Sequence, residues 1–269
     1  MQFCEPARVI DAQYLTPHMI RIRLEILGNW RWPTHGIGDD KIDLAFPRAG
    51  ETRADVEYFN RDDYGSGAST GEPPWRHYTV RRVHDGGAVL DIDFVVHEGG
   101  FASEWAARAE PGQVLGVFST DAPRAYFAPP GNMRQLLLVA DATGLPGLGR
   151  IIEGLPPGTA AHAIVEVPSE DDQQLFETAA EVTFDWLIGT GLGRTRSALP
   201  KAVEAWSAPT ELDYAWVACE AAASRRIRRH LRAGLGLDRR SHIAVGYWTD
   251  GHIGHFEQDE HQHQHDAAH

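Results

Sequence analysis

Residues 75–82 read Trp75-Arg76-His77-Tyr78-Thr79-Val80-Arg81-Arg82. On an extended chain, side chains 76, 78 and 80 point to one face and 77, 79 and 81 to the other. An aromatic ring, a hydroxyl and forked guanidinium donors on one strand can cover a flat heteroaromatic ring, bond its polar edge and neutralise a pyrophosphate. Those are the demands of a flavin nucleotide. Taken alone, Arg-x-Tyr-Thr-x-Arg is more often a decorated surface strand. A second segment, Val95-Val96-His97-Glu98-Gly99-Gly100-Phe101-Ala102-Ser103-Glu104-Trp105-Ala106, carries a strand into a glycine pair and then an amphipathic helix. The first N–H groups of a helix have no intrahelical acceptor and favour an anion. A glycine pair before a helix is ordinarily only a turn, but its place on the strand after the arginine-bearing one joins the two segments into a single candidate site.

These residues need a frame. In the first half, short β-branched or aromatic runs, Met19 to Leu27, Ile42 to Phe46, His77 to Val83 and Val89 to Val96, alternate with Gly, Pro and Asp clusters, as in an antiparallel β-barrel. Glu51 to Pro74 has no sustained period and reads as a long, mobile loop. After Pro129-Pro130-Gly131 the rhythm changes. Gln135 to Ala140 and Ala161 to Val167 are continuous apolar runs flanking a helical pattern from Leu145 to Leu155. Strand, helix, strand at this spacing marks a parallel α/β unit buried on both faces. The pattern continues through Val182 to Ile188, a helix from Ser197 to Trp206, a strand from Tyr214 to Cys219, a basic helix from Ala221 to Ala233 and a strand from His242 to Tyr247. The expected organisation is a barrel domain over 1–130, an α/β domain with an open parallel sheet over 131–254, and a tail over 255–269. Ligands of such a sheet bind beyond the carboxyl ends of its strands.

Composition excludes some partners. A formal charge of −13 over 269 residues argues against nucleic acid and anionic membrane surfaces, both of which depend on clustered Lys and Arg. Arg225, Arg226, Arg228, Arg229, Arg232, Arg239 and Arg240 form a local basic run that reads as a solvated helix face, with a binding patch as the other reading. No apolar run approaches the roughly 20 residues needed to span a bilayer, and Met1-Gln2-Phe3-Cys4-Glu5 has no secretory character, so a cytoplasmic protein is expected. A monomer is the expected state. Cys4 and Cys219 suggest neither disulfide nor thiolate metal site. No metal site is expected.

With Pro111-Gly112 followed by Val114 to Phe118, the two chemical segments resemble the siderophore-interacting branch of the ferredoxin-reductase-like flavoproteins. Leu137-Leu138-Val139-Ala140-Asp141-Ala142-Thr143-Gly144-Leu145-Pro146, Tyr214-Ala215-Trp216-Val217-Ala218-Cys219-Glu220-Ala221 and Gly246-Tyr247-Trp248 continue the resemblance in the family's order. It implies an FAD-dependent reductase that takes hydride from NADH or NADPH and passes single electrons to a ferric siderophore. It further implies that Tyr78 stacks on the flavin, Thr79 bonds its N5 edge, and Arg76 and Arg81, with Val80 between, contact phosphate or ribityl oxygens. His97, Gly99, Gly100, Ala102 and Ser103 would line the adenosine diphosphate portion. Asp141 and Thr143 would shape the nicotinamide side, and Glu220, Tyr247 and Trp248 would close the cleft. Trp216 is expected to be core packing. A reductase for another one-electron acceptor, or an iron-chelate binding protein without catalysis, are the other readings.

The chain also departs from the family pattern. Aligned on Phe46-Pro47, it has Lys41 but Asp43 where a lysine is usual, and Thr249-Asp250 follow the late Tyr-Trp pair where a basic residue is common. Arg124, with Lys41, is left to meet the substrate, which shifts the expectation from an anionic catecholate chelate to a hydroxamate-type one. The second α/β strand ends in Glu166, a carboxylate suited to a ribose hydroxyl and hence to NADH, while Gly191 to Arg196 could instead hold the 2′-phosphate of NADPH. The tail from His252 to His269 holds six of the 14 histidines and reads as a disordered polar segment, with metal chelation as the other reading.

Overall fold

The computed structural model describes residues 3–33, 38–64, 71–120, 124–131, 133–192 and 195–249. The histidine-bearing tail, expected to be disordered, lies outside the described residues.

The first unit is a closed antiparallel barrel. Its strands are β1 (Cys4–Thr16), β2 (Met19–Ile26), β3 (Lys41–Ala45), β4 (Trp75–His84), β5 (Val89–Val95) and β6 (Val114–Phe118), arranged β1-β2-β5-β4-β3-β6. Alternation sets the interior. Ile20, Ile22, Leu24 and Ile26 of β2 and Leu90, Ile92 and Phe94 of β5 fill the core. On the outer face, Arg21 sits opposite Asp93 and Arg23 opposite Asp91, and each pair closes with two hydrogen bonds of 2.7–3.0 Å. Closure of the barrel leaves no unpaired sheet edge.

Two elements differ from expectation. Strand β1 escaped the periodicity argument because register shifts between Val9 and Asp11 and between Tyr14 and Thr16 break its alternation. The segment from Glu51, expected to be a loop, folds in part. Asp55 caps a one-turn helix α1 (Val56–Phe59) by accepting from the Tyr58 N–H at 3.1 Å, and Val56, Tyr58 and Phe59 bury against Cys4, Ala45 and Phe118. Helix α2 (Phe101–Ala106) follows β5 and packs on the barrel, with Ala102 and Ala106 in its core.

The second unit is a five-stranded, wholly parallel sheet of β7 (Gln135–Ala140), β8 (Ala160–Val167), β9 (Glu181–Ile188), β10 (Tyr214–Glu220) and β11 (His242–Trp248) in the order β11-β10-β7-β8-β9. Successive residues of central β7 serve two cores, which is why it reads as an unbroken apolar run. Leu136 and Leu138 pack under helix α3 (Leu145–Gly154), whereas Leu137 and Val139 meet helices α4 (Leu199–Ala205) and α5 (Ala221–Ala233). Between β8 and β9 the chain crosses with a single 3-10 turn, Glu170–Asp172, and then an extended strip. No helix among the described residues is long and apolar enough to cross a membrane.

Buried carboxylates join the units. Asp39, 1% exposed, accepts from the N–H groups of Tyr126 (3.1 Å) and Phe127 (2.9 Å) and from Trp216 Nε1 of β10 (2.8 Å). Trp216 is a core residue, as expected, but its ring nitrogen also ties the α/β sheet to the barrel's β2–β3 connection. Asp172 meets the N–H and imidazole of His18 at 2.9 and 2.8 Å, docking the loop after β8 on the β1–β2 turn. Leaving such a buried carboxylate without one of its donors typically costs about 1–3 kcal/mol.

Candidate functional site

Strand β4 runs in register with β3, so that Thr79 faces Lys41, Tyr78 faces Ile42 and His77 faces Asp43. On its inner side the Tyr78 ring lies 4.3 Å from Phe94 and 6.2 Å from Phe46, centroid to centroid. Burial pushes its phenol well above the usual range, outweighing the opposing charge of Arg76. The Arg76 guanidinium lies 4.5 Å over the Phe101 ring at the start of α2 and donates to its neighbour's carbonyl, that of Trp75, at 2.7 Å. No ion pair joins it to a carboxylate among the described residues. Burial lowers its pKa, as it does for a cation without a compensating anion.

The glycine-led helix start stands beside this cation. Gly99 takes φ +79°, which favours glycine, and a Cβ at Gly100 would come within 2.6 Å of the His97 ring, which would have to swing aside. The Ser103 hydroxyl accepts from the His97 N–H at 2.7 Å and donates to the His97 carbonyl at 2.8 Å. Its hydroxyl is thus used in shaping the turn, while the first-turn N–H groups, including that of Ala102, are left without an intrahelical acceptor. A half-buried guanidinium without a carboxylate, facing a glycine turn and a helix start, fits a pyrophosphate.

The far wall comes from the α/β domain. Asp141, at the end of β7, accepts through Oδ1 from the Thr143 N–H (2.8 Å), the Thr143 hydroxyl (2.6 Å) and the Gly144 N–H (3.2 Å), and through Oδ2 from Trp248 Nε1 (2.7 Å). Burial raises its pKa against the lowering effect of those bonds. Asp141 therefore builds the turn and holds Trp248. The Tyr247 phenol meets the Thr79 hydroxyl across the cleft, and burial lifts its pKa far above normal. Glu220 is spent locally, capping α5 by accepting from the Ala223 N–H at 2.9 Å. The structure thus brings Thr79 of β4 against Tyr247, beside the Asp141–Thr143 turn that holds Trp248, with Tyr78 and Arg76 earlier on the same strand.

Arg81 is not among them. A register shift between Val80 and Arg82 marks a bulge, and the Arg81 side chain turns to α3, where Nη1 and Nη2 each donate to Glu153 at 2.7 Å. The basic residues beside β3 are also altered by their surroundings. Asp43, 5% exposed, accepts from the His77 imidazole and from the Arg124 guanidinium. Burial works to raise the Asp43 pKa, but these two partners outweigh it and hold the carboxyl below its usual range. Arg124 thus meets the cleft already paired. Lys41 lies with Nζ 5.8 Å from the centroid of the Tyr126 ring. Glu166, the carboxylate expected at the nucleotide ribose, is buried instead, accepting from the Thr190 hydroxyl and from the Ala198 N–H (2.7 Å) ahead of α4. The rival Gly191 to Arg196 element includes residues outside the described set. Sequence reasoning passed over Glu153, Arg150, Asp39 and His77, whose partners lie 34 to 177 positions away.

Residues 8–124 match the model of the siderophore-interacting FAD-binding domain, and residues 133–251 that of siderophore-interacting protein. A siderophore utilization protein of T. fusca, known from its crystal structure, is 30% identical over 93% of this chain and 94% of its own, with a TM-score of 0.79. The ferric vibriobactin reductase ViuB of Vibrio cholerae is 28% identical over 183 residues, 67% of this chain and 66% of ViuB. The chain spans 64% of the length of the Mycobacterium tuberculosis relative it matches at 29% identity. A ferredoxin reductase of carbazole 1,9a-dioxygenase, 15% identical over 92% of this chain and 70% of that one, superposes with a TM-score of 0.64 and shares the fold. With one model spanning the barrel, another the parallel sheet, and a relative matched along nearly its whole length, the chain belongs to the siderophore-interacting protein family.

Proposed function

We propose that this protein is an FAD-dependent reductase of ferric siderophores, drawing electrons from NADH or NADPH. The observation that carries the proposal is the meeting of β4, with Arg76, Tyr78 and Thr79, and the end of β11, with Tyr247 and Trp248, at the carboxyl edge of a parallel sheet. Bound there, FAD would accept a hydride and release its electrons singly, matching a two-electron donor to a one-electron acceptor.

In this reading Arg76 and the 99–103 helix start hold the pyrophosphate, Tyr78 covers the ring system and Thr79 presents its hydroxyl to the ring's polar edge. Thr143 shapes the nicotinamide side, while Tyr247 and Trp248 close the cleft against water. No side chain is needed as a general base, because positioning supplies most of the effect. On the substrate side the pairing of Asp43 with both Arg124 and His77 supports a weakly charged, hydroxamate-type chelate over an anionic catecholate, since a neutralised cation steers anions poorly. Both hydrogen bonds to Glu166 fall on Oε1, its Oε2 is without a partner among the described residues, and both nucleotides stand as donors.

The test is direct. The purified protein should be yellow with flavin absorption bands, bleach anaerobically on addition of NADH or NADPH, and regain its colour when a ferric siderophore is added, with a ferrous trap developing in step. Bleaching by neither nucleotide would defeat the reading.

A further inference from the structure

We infer that Arg81 is a positioning residue for electron transfer and not a flavin ligand: with Glu153 it clamps the strand bearing Tyr78 and Thr79 to helix α3 of the other domain, and so sets the width of the cleft. The inference rests on the reductase reading above.

Three consecutive residues of β4 are each held by the α/β domain. The Thr79 hydroxyl meets the Tyr247 phenol of β11, the Val80 carbonyl accepts from Arg150 Nη1 of α3 at 2.6 Å, and Arg81 forms its two-pronged pair with Glu153, also of α3, at 2.7 Å on each arm. The rest of the Arg81 side chain is enclosed. Its Nε lies 3.8 Å from Asp93 Oδ2, the Phe176 ring lies 6.0 Å from its guanidinium carbon, and the residue is 3% exposed. Both arms of the Arg81 guanidinium are therefore committed to Glu153 of α3, while Nε is buried without a hydrogen-bond partner among the described residues. Close approach of the helix depends on Gly149. A Cβ there would stand 2.6 Å from the Phe176 ring and 3.2 Å from Arg81 Nη2.

Helix α3 passes this constraint to the cleft. Glu153 stands in its last turn, and its first residue, Leu145, follows directly on the Asp141 to Gly144 turn that holds Trp248. A helix of 10 residues, about 15 Å long, moves as a rigid rod, so tilting one end displaces the other. The barrel side of the cleft and its α/β side are thus fixed at one distance by a charge pair lying outside the cleft. A misplacement of about 1 Å between reacting groups can lower a rate by about 100-fold.

The experiment compares Arg81→Lys and Glu153→Gln with the wild type, as both substitutions keep the side-chain size and lose the two-pronged geometry. In flavin-free protein, amide hydrogen exchange of residues 145–154 should speed up by about fivefold or more in both variants. In flavin-loaded protein, the FAD dissociation constant should stay within about twofold of wild type, while the saturating rate of flavin reduction by the nucleotide falls about tenfold. Unchanged exchange in both variants overturns the inference. So does an FAD affinity about tenfold weaker in Arg81→Lys alone, which would return Arg81 to the flavin site. If the wild type takes up no FAD, the reductase reading fails, and the exchange measurement still decides whether the clamp exists.

Discussion

Trp248 Nε1 donates to Asp141 Oδ2 at 2.7 Å, so the last aromatic residue of β11 is pinned to the turn that ends β7 and begins α3. The bond makes one unit of two strand ends separated by 107 positions, and that unit forms the α/β wall of the cleft.

Trp248→Phe keeps an aromatic ring there but leaves Asp141 Oδ2 buried without a donor. A cost of about 1–3 kcal/mol follows, hence a melting temperature lower by about 2–10 °C. Scanning fluorimetry of the two proteins checks this.

Arg76→Ala should weaken FAD binding by about 10- to 100-fold, the effect of losing charge-assisted bonds of about 1.5–3 kcal/mol. Flavin fluorescence titration measures it. Arg76→Lys should recover part of the loss, since a point charge replaces a fork.

Asp43→Asn should release the Arg124 charge toward the cleft, raising reduction rates with catecholate complexes relative to hydroxamate ones by several-fold, with a gain that shrinks at high salt. The same variant gives a pH signature. The folded pKa of Asp43 is depressed, so its stabilisation is present above the unfolded value of about 3.9 and is lost as pH falls through the folded value. The difference in melting temperature between wild type and Asp43→Asn should be full near neutral pH and shrink only in acid, below about pH 4. A difference that grows in acid would contradict the assignment.

Gly144→Ala tests the packing of the turn. A Cβ at that position would lie 2.2 Å from the Ala218 carbonyl oxygen of β10, a backbone atom that cannot swing aside. Overpacking of this kind costs about 1–3 kcal/mol, and the melting temperature should fall by about 2–10 °C with the far-ultraviolet circular dichroism unchanged.

The strand and helix pattern of the α/β unit was readable from local order because burial on one or two faces imposes a period that the chain itself carries. Gln135–Ala140 and Ala221–Ala233 begin and end where their patterns do. Strand β1 was not readable, since its two register shifts throw the alternation out of phase. At the site, Arg76, Tyr78, Thr79, Tyr247 and Trp248 were nameable from type and order along the chain. The partner of each side chain was not.

By itself the sequence determined the two kinds of sheet, the order of their elements and the presence of an arginine-tyrosine-threonine strand beside a glycine-led helix, because these follow from local periodicity and from residue types at short spacing. Only the tertiary structure decided that Arg81 belongs to Glu153, that Arg124 and His77 share Asp43, and that Asp141 holds Trp248. A charged side chain takes whichever counter-charge the folded chain brings within hydrogen-bond reach, and that choice is made across 34 to 107 residues of intervening sequence, where no local pattern can record it.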